Sequence, residues 1–401
     1  MKYKRMYLGA WALGSTIHLK ELYQAMAFQK SPYFKSREIR AWQKGITPKS
    51  IDYIPEAINS VAGQLQNEIA FDVLEDGVIL LSKEVEDTQK DFEHLEQFMN
   101  TKMRPFWRNL SSKDVAIPSI LLEKEPDNPI VIHLEKAKQA DMEEVFSQFG
   151  AIVYKRIKLS KGHVWIGERL VVINDINIGD KDLREAVHYL MFARLYELQL
   201  KKLLDIQRTL WNQIEGIRNR KYFKSEELPT VRDRALSIQS QGNFFRSRSR
   251  QMNQFLVWRE EFIDTYLTDH VLGKIFKEFF VSLKSTQQYI HELWTMTHTY
   301  ADSTVESISL MYSDMQQREL RTLQKIFLVS AIVSVLSLGT LAGSQMLTSD
   351  TVGNIISQAT IRSWEFSSFI YYGSIVLIVT SIFYILFYLV FSKLKGSSHI
   401  S

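Results

Sequence analysis

IFLVSAIVSVLSLGTLAGSQML, residues 326–347, is a run of 22 residues without a charged side chain. A helix rises about 1.5 Å per residue, so this run is long enough to cross a hydrocarbon layer about 30 Å thick. A second uncharged run, FIYYGSIVLIVTSIFYILFYLVF, occupies residues 369–391. The two runs predict two C-terminal transmembrane helices joined by an external loop, residues 348–368.

The charges beside the two runs predict their orientation. Basic residues stand before the first run and after the second, whereas the loop carries only Arg362. The flanking basic residues are Arg318, Arg321, Lys325, Lys393 and Lys395. Because basic flanks stay on the cytoplasmic side, we expect a multi-pass protein of the cell or inner membrane. Both termini, including the tail 392–401, are then cytoplasmic.

A stalk helix, residues 269–325, is predicted to continue into the first membrane run, because no proline follows Pro229. Every seventh residue from Gln288 to Ser344 is polar except Leu323, and a neighbouring line starts at Glu292. Seven residues return a helix to nearly the same face. The residues predicted to line a pore are Gln316, Leu320, Leu323, Phe327, Ser330, Ser334, Ser337, Leu341 and Ser344.

Two interpretations of this polar face are open. Several copies around an axis would turn it toward water, with Leu320, Leu323 and Phe327 as an apolar girdle that closes by dewetting. Alternatively, the serines with Gly339 and Gly343 are small residues that allow close helix packing.

Composition excludes several classes of protein. The chain has 401 residues, a formal net charge of +4 and no cysteine. The charge is weak for direct nucleic-acid binding, and without cysteine there is no disulfide, thiol nucleophile or thiolate metal site. Phosphate-binding, nucleophile-elbow and dinucleotide motifs are absent from the sequence. We therefore predict no enzyme and no certain cofactor.

The remainder of the chain predicts an α+β cytoplasmic domain followed by long helices. Residues 1–178 alternate short apolar strands with helices, including hairpins around Glu75-Asp76-Gly77 and Ser160-Lys161-Gly162. The second hairpin is predicted to join strands 152–159 and 164–173. A further strand is predicted at 119–122, and an amphipathic helix over 84–103. Residues 179–268 predict two long antiparallel helices, divided near Pro229. The stalk, 269–325, and the two membrane helices follow.

This order resembles the CorA-type (2-TM-GxN) magnesium channel superfamily, and Leu341-Ala342-Gly343 is similar to the small-residue stretch of its first span. The resemblance implies a funnel-shaped homopentamer in the bilayer that conducts a cation. The Gly-Met-Asn that should follow is replaced by Ser344-Gln345-Met346-Leu347. The chain also resembles the CorA-like membrane effectors of type III CRISPR defence, which implies a nucleotide ligand.

Two groups of side chains are candidate ligand sites. Basic residues could bind phosphate, meet anionic lipid headgroups, or form a solvated or subunit surface. They are Arg218, Arg220, Lys221, Arg246, Arg248 and Arg250. Asp302 and Glu306 on the stalk could attract cations or bind a divalent ion, or be ordinary solvated charges.

The sequence is therefore compatible with three functions. The first is a CorA-like homo-oligomeric ion channel or transporter gated by its cytoplasmic domain, without the family's magnesium filter motif. The second is a nucleotide-activated membrane effector of antiviral defence. The third is a non-conducting, membrane-anchored scaffold.

Overall fold

The computed structural model describes residues 2–11, 18–55, 58–65, 67–111, 128–159, 162–174, 179–220, 222–266 and 273–349. Side chains are described along the last helix as far as residue 337, except those of residues 274, 275, 335 and 336. The described chain forms two compact units. The first comprises Met1–Gln213 and Ile238–Ala301, and the second comprises Ile214–Ser237 and Asp302–Ser401.

A nine-stranded mixed sheet is the centre of the first unit, in the order β2-β3-β4-β5-β1-β6-β9-β8-β7. Only β6 and β9 pair in parallel, and the other neighbours are antiparallel. The strands are β1 (Lys2–Trp11), β2 (Pro48–Ile54), β3 (Ser60–Leu65), β4 (Ala70–Leu74), β5 (Val78–Glu84), β6 (Ile130–Glu135), β7 (Val153–Leu159), β8 (Gly162–Gly167) and β9 (Leu170–Asn174).

Short helices cover one face of the sheet. They are α1 (Leu19–Phe28), α2 (Ser36–Trp42), α3 (Thr88–Phe98), a π-helical turn (Met99–Met103), α4 (Arg104–Ser111) and α5 (Gln139–Gln148). Met6, Leu8 and Ala10 alternate along β1 and point into this core with Leu95 and Val145. The alternation is that of a strand with one face buried against helices.

The opposite face of the sheet packs on a long helix, α6 (Asp180–Arg218). Gly9 of β1 allows the close approach, because a Cβ there would lie 2.9 Å from the Sδ of Met191. The ring of Trp11 lies 5.7 Å from the rings of Phe192 and Tyr196. The sheet therefore has helices on both faces.

Two further helices, α7 (Leu228–Tyr266) and α8 (Gly273–Ser349), complete a bundle with α6. In the first unit, Tyr189 of α6 stacks on Phe262 of α7 at 5.7 Å. Phe245 of α7 stacks on Trp294 of α8 at 5.0 Å. Because Lys284 of α8 pairs with Glu260 whereas Trp294 stacks on Phe245, α7 runs antiparallel to α8. Tyr189 and Gln207 of α6 contact Phe276 and Thr297 in the same order, so α6 runs parallel to α8.

A buried ion pair joins the sheet to the bundle inside the first unit. Arg259 of α7 donates from Nε and Nη2 to Oδ2 of Asp76, at 3.0 and 2.6 Å. Both side chains are 0% exposed, and the guanidinium lies 4.8 Å from the ring of Phe192. A charge so far from water is tolerated because it is paired and hydrogen-bonded.

The structure confirms some expected elements and corrects others. The hairpin around Glu75-Asp76-Gly77 is present, with Gly77 at φ +84°. The run 164–173, expected as one strand, is two, because the chain reverses at Glu168-Arg169 between β8 and β9. The helix expected over 84–103 begins at Thr88, where Asp87 accepts a hydrogen bond from the Lys90 amide at 3.3 Å.

The strand expected at 119–122, the loop 350–368 and the second apolar run 369–391 lie outside the described residues. In the part of the chain that the structure covers, none of the helices meets the length and apolarity needed to span a bilayer.

Substituting Gly63→Ala should destabilise the sheet. The new Cβ would lie 2.1 Å from the backbone oxygen of Ser50 and 2.9 Å from the ring of Phe71, so β2 and β3 must separate. We expect a loss of about 3 kcal/mol or more, measured by urea unfolding. The matched control is Gly216→Ala in α6, whose Cβ meets nothing within 4 Å and should add about 0.5–1 kcal/mol.

Substituting Arg259→Met should lower the free energy of unfolding by about 3–5 kcal/mol, because the carboxylate of Asp76 is left buried without its partner. The double variant Arg259→Met/Asp76→Asn should recover part of the loss. The control is Lys277→Met, which breaks an exposed pair with Asp264 at 2.9 Å and should change stability by less than about 1 kcal/mol. If Arg259→Met and Lys277→Met lowered the free energy of unfolding equally, burial of the Arg259–Asp76 pair would not be what makes it important.

Candidate functional site

One side of α8 is a seam of buried residues with a heptad spacing. Successive members lie four and three residues apart: Leu283, Gln287, Ile290, Trp294, Thr297, Ala301, Thr304 and Ile308. In the first unit, Gln287 Nε2 donates to the Ser249 oxygen at 2.7 Å, and Gln207 Nε2 donates to Thr297 Oγ1 at 2.8 Å. This 3.5-residue period is that of helices packed side by side.

The seam ends at Ile308. Of the α8 side chains that the structure describes beyond this residue, none is buried. Large apolar side chains are among them, with Phe327 72% exposed, Leu320 58% and Leu323 49%. Exposed apolar side chains in a row along one helix call for a cover that the described residues of the chain do not supply.

The residues predicted to line a pore lie away from the seam. Leu320, Phe327 and Ser334 continue the heptad line of Glu292, which is opposite the seam on a helical projection. Gln316, Leu323 and Ser330 continue the heptad line of Gln288, which is next to the line of Glu292. All six side chains are exposed. Ser337 is half-buried, and Leu341 and Ser344 belong to α8 but their side chains lie outside the described set.

Many hydroxyls of α8 donate to the backbone of their own helix. Ser334 Oγ donates to the Ser330 oxygen at 2.9 Å, and Ser337 Oγ to the Ser334 oxygen at 2.8 Å. Thr295, Thr299 and Thr322 each donate to the carbonyl four residues earlier. Such bonds satisfy the hydroxyl within the helix.

The candidate basic residues fall into two groups in the described structure. In the second unit, Arg218 Nη1 donates to Ser303 Oγ at 3.3 Å, and Arg220 pairs with Glu227 at 3.0 Å. Both arginines are exposed, and Lys221 lies outside the described residues.

The group on α7, in the first unit, is divided between the interior and the surface. Arg248 is buried: its Nη1 donates to Gln251 Oε1 at 2.6 Å, and its guanidinium lies 5.1 Å from the ring of Phe244. Burial lowers the pKa of Arg248. Arg246 is half-buried and Arg250 is exposed, so the three arginines do not share one face.

The candidate acidic residues are in the second unit. Asp302 is half-buried and Glu306 is exposed on α8. Among the residues whose positions are described, no three histidine or carboxylate side chains are grouped so that they could hold a metal ion.

A carboxylate that the sequence did not single out fastens α6 to the sheet. Asp72 Oδ2 of β4 accepts from Arg184 Nε at 2.9 Å and lies 2.8 Å from His188 Nε2. Burial alone would raise the pKa of Asp72, but the hydrogen bonds and charges of His188 and Arg184 outweigh it, so this pKa is below its ordinary value. Only the four-residue spacing of Arg184 and His188, which places both on one side of a helix, was visible in the sequence.

Comparison with protein families finds no match, and comparison with curated proteins finds none either. Among solved structures, the chain is similar to the complete CorA magnesium transporter of Methanocaldococcus jannaschii. Identity is 9% and the TM-score 0.30, over 68% of this chain and 92% of that one.

Two further solved structures are similar to the chain. The soluble domain of the same CorA matches at 10% identity and a TM-score of 0.22, over 44% of this chain and 86% of that one. The full-length CmaX protein matches at 11% identity and a TM-score of 0.23, over 64% and 92%. Similarity at this level assigns no activity.

Substituting Asp72→Asn should destabilise the chain by about 1–3 kcal/mol at neutral pH, since the hydrogen bonds to a charged acceptor are weakened. A lowered pKa means that the stabilisation is present above the unfolded value of about 3.9 and is lost as the pH falls through the folded value. The difference between wild type and variant in urea unfolding should therefore shrink below about pH 4. The exposed Glu84→Gln serves as the control, and a constant difference across this pH range would contradict the assignment.

Proposed function

We propose that the chain is a homo-oligomeric membrane ion channel of CorA-like architecture, controlled by its α+β domain. The observation that carries the proposal is the two-sided character of α8. One side packs through the heptad seam as far as Ile308. The other side keeps a heptad repeat of polar residues that runs on toward the uncharged residues 326–347.

The exposed apolar residues of α8 favour assembly of several copies. Leu320, Leu323 and Phe327 are 49–72% exposed and lie on the two lines away from the seam. In a ring of identical helices these residues face one another around the axis and form a narrow apolar girdle. Water is expelled from such a constriction, so it blocks ions without a mechanical plug. A pentamer is the assembly that the CorA-like resemblance favours.

The membrane position of the channel follows from the sequence. Residues 326–347 and 369–391 are proposed to cross the cell or inner membrane, with the α+β domain and both termini in the cytoplasm. The seam of α8 would then connect the α+β domain to the pore, because the same helix packs against α6 and α7 in the first unit. A ligand that favours one arrangement of these helices shifts the population of open channels.

Cations are the favoured class of ion. Asp302 lies on the heptad line of Gln288, and Glu306 lies on that of Glu292. Repeated in every copy, these carboxylates form acidic rings that concentrate cations at the pore entrance. Without Gly-Met-Asn the filter is not the one by which the CorA superfamily selects magnesium, so we propose cation conduction without assigning magnesium.

Reconstituted liposomes distinguish the channel from its two alternatives. Cation flux without added ligand supports the channel, and flux only after a nucleotide is added supports a nucleotide-activated defence effector. Absence of flux under both conditions supports a membrane-anchored scaffold and contradicts the proposal.

Substituting Leu323→Ser or Phe327→Ser should raise the ion leak of the closed channel, because a hydroxyl holds water in the girdle. Each reduction of the barrier by about 1.4 kcal/mol raises the flux about tenfold. The matched control is Ile332→Ser, since Ile332 is 51% exposed but continues the heptad line of Ile290 on the seam side. Equal leak in all three variants would show membrane damage rather than gating.

A further inference from the structure

A cavity of about 660 Å³ lies in the first unit between the sheet and the start of α6. Its floor is one face of five neighbouring strands, as the cross-strand pairs show: Arg5 is opposite both Glu84 and His133, Tyr7 is opposite Ser82, and Asp72 is opposite Leu80 and Ala62. Leu183, Arg184 and His188 of α6 form the wall. This volume is in the range of small-molecule sites.

Small side chains keep the floor of the cavity open. Ala62, Ala70 and Ser82 occupy the positions where larger residues would pack against α6. The other face of the same strands is filled by large apolar residues, including Val73 and Leu81. The space is therefore confined to the face of the sheet that carries Arg5, Asp72 and Glu84, with apolar side chains such as Leu80 and Leu183 lining part of it.

A β-bulge lies at the edge of the cavity. Tyr3 is opposite Leu134 and Arg5 is opposite His133, so Lys4 is an extra residue in β1. Tyr3, Lys4 and Arg5 all line the cavity, although successive residues of a regular strand lie on opposite faces. Bulges are over-represented beside functional sites, where they direct side chains.

The charges around the cavity leave an excess of cationic groups. The carboxylate of Asp72 is already bound by the guanidinium of Arg184, which compensates its charge, and lies within hydrogen-bond distance of His188. Glu84 is 82% exposed and only 3.6 Å from Arg5, a long ion pair that a better acceptor can replace. Beyond the pairs Arg184–Asp72 and Arg5–Glu84, Lys4 adds one further positive charge to the lining, and the imidazoles of His133 and His188 also face the space.

The geometry points to a binding site for a small phosphate-bearing anion between β1, β4, β5 and α6. A phosphate group would accept hydrogen bonds from Arg5 and Arg184, because guanidinium groups match its oxygens in pairs. The ligand would touch both the sheet and α6, which packs on α8 through Gln207 and Thr297. Binding does not depend on the proposed channel, whereas any control of conduction by the ligand does.

The binding test uses the full chain in detergent, with calorimetric titration of inorganic pyrophosphate and, separately, ATP. Arg5→Gln and the cavity-filling Ala62→Leu should each weaken binding by about tenfold or more, because a charge-assisted contact or the space itself is lost. ATP binding more tightly than pyrophosphate identifies a nucleotide, and equal binding identifies the phosphate group alone. Both results support the site.

The matched control is Arg156→Gln on β7. Like Arg5 it is half-exposed on a strand of the same sheet, with one carboxylate, Glu143, at 3.5 Å. The affinity of the Arg156→Gln variant for both probes should equal that of the wild type. The proposal is overturned if Arg156→Gln weakens binding as much as Arg5→Gln, or if the wild type binds neither probe up to about 1 mM. Because the readout is heat and not conduction, a channel that fails to conduct leaves this result interpretable.

Discussion

The structure depends on the registration of α8 against its neighbours. A side chain enters the interior at every fourth and third residue from Leu283 to Ile308, and this spacing holds only if the helix stays continuous and keeps one side inward. Trp294 is completely buried at the middle of the seam, where it stacks on Phe245. Everything proposed for the exposed side of α8 follows from this fixed rotation about the helix axis.

Two carboxylates fix the position of the long helices against the sheet within the first unit. Asp72 at the middle of β4 binds α6, and Asp76 in the turn after β4 binds Arg259 of α7. They lie four residues apart, so one short segment of chain carries both connections. Each charged pair forms only when the helix and the sheet take one relative position. The pairs therefore fix that position as well as stabilising the contact. The close approach of α6 at Gly9 adds a steric constraint to the contact between the sheet and this helix.

Local signals predicted the parts of the fold that local chemistry determines. The turn at Glu75-Asp76-Gly77 was recognisable because Gly77 adopts a positive φ that other residues avoid. The continuous helix was recognisable because nothing interrupts it. The division between β8 and β9 was missed because both strands are apolar, and only their antiparallel pairing shows where the chain turns.

The seam and the Asp72 contacts were not predictable for a different reason. Gln287, Thr297 and Thr304 are seam residues, so a search for apolar heptads passes over them. Arg184 and His188 are 112 and 116 residues from Asp72, and nothing in the sequence between them records the pairing. Contacts of this kind are set by tertiary structure, which a single sequence does not encode in any local pattern.

The hydroxyls of α8 give its outward face a chemistry that residue names do not convey. The hydroxyls of Thr295, Thr299 and Ser334 each donate a hydrogen bond to a backbone carbonyl of the preceding turn. A threonine in this state presents its methyl group to the surroundings, and a rotation about one bond replaces carbon with oxygen. The wettability of this face is therefore adjustable within nanoseconds, without any movement of the backbone.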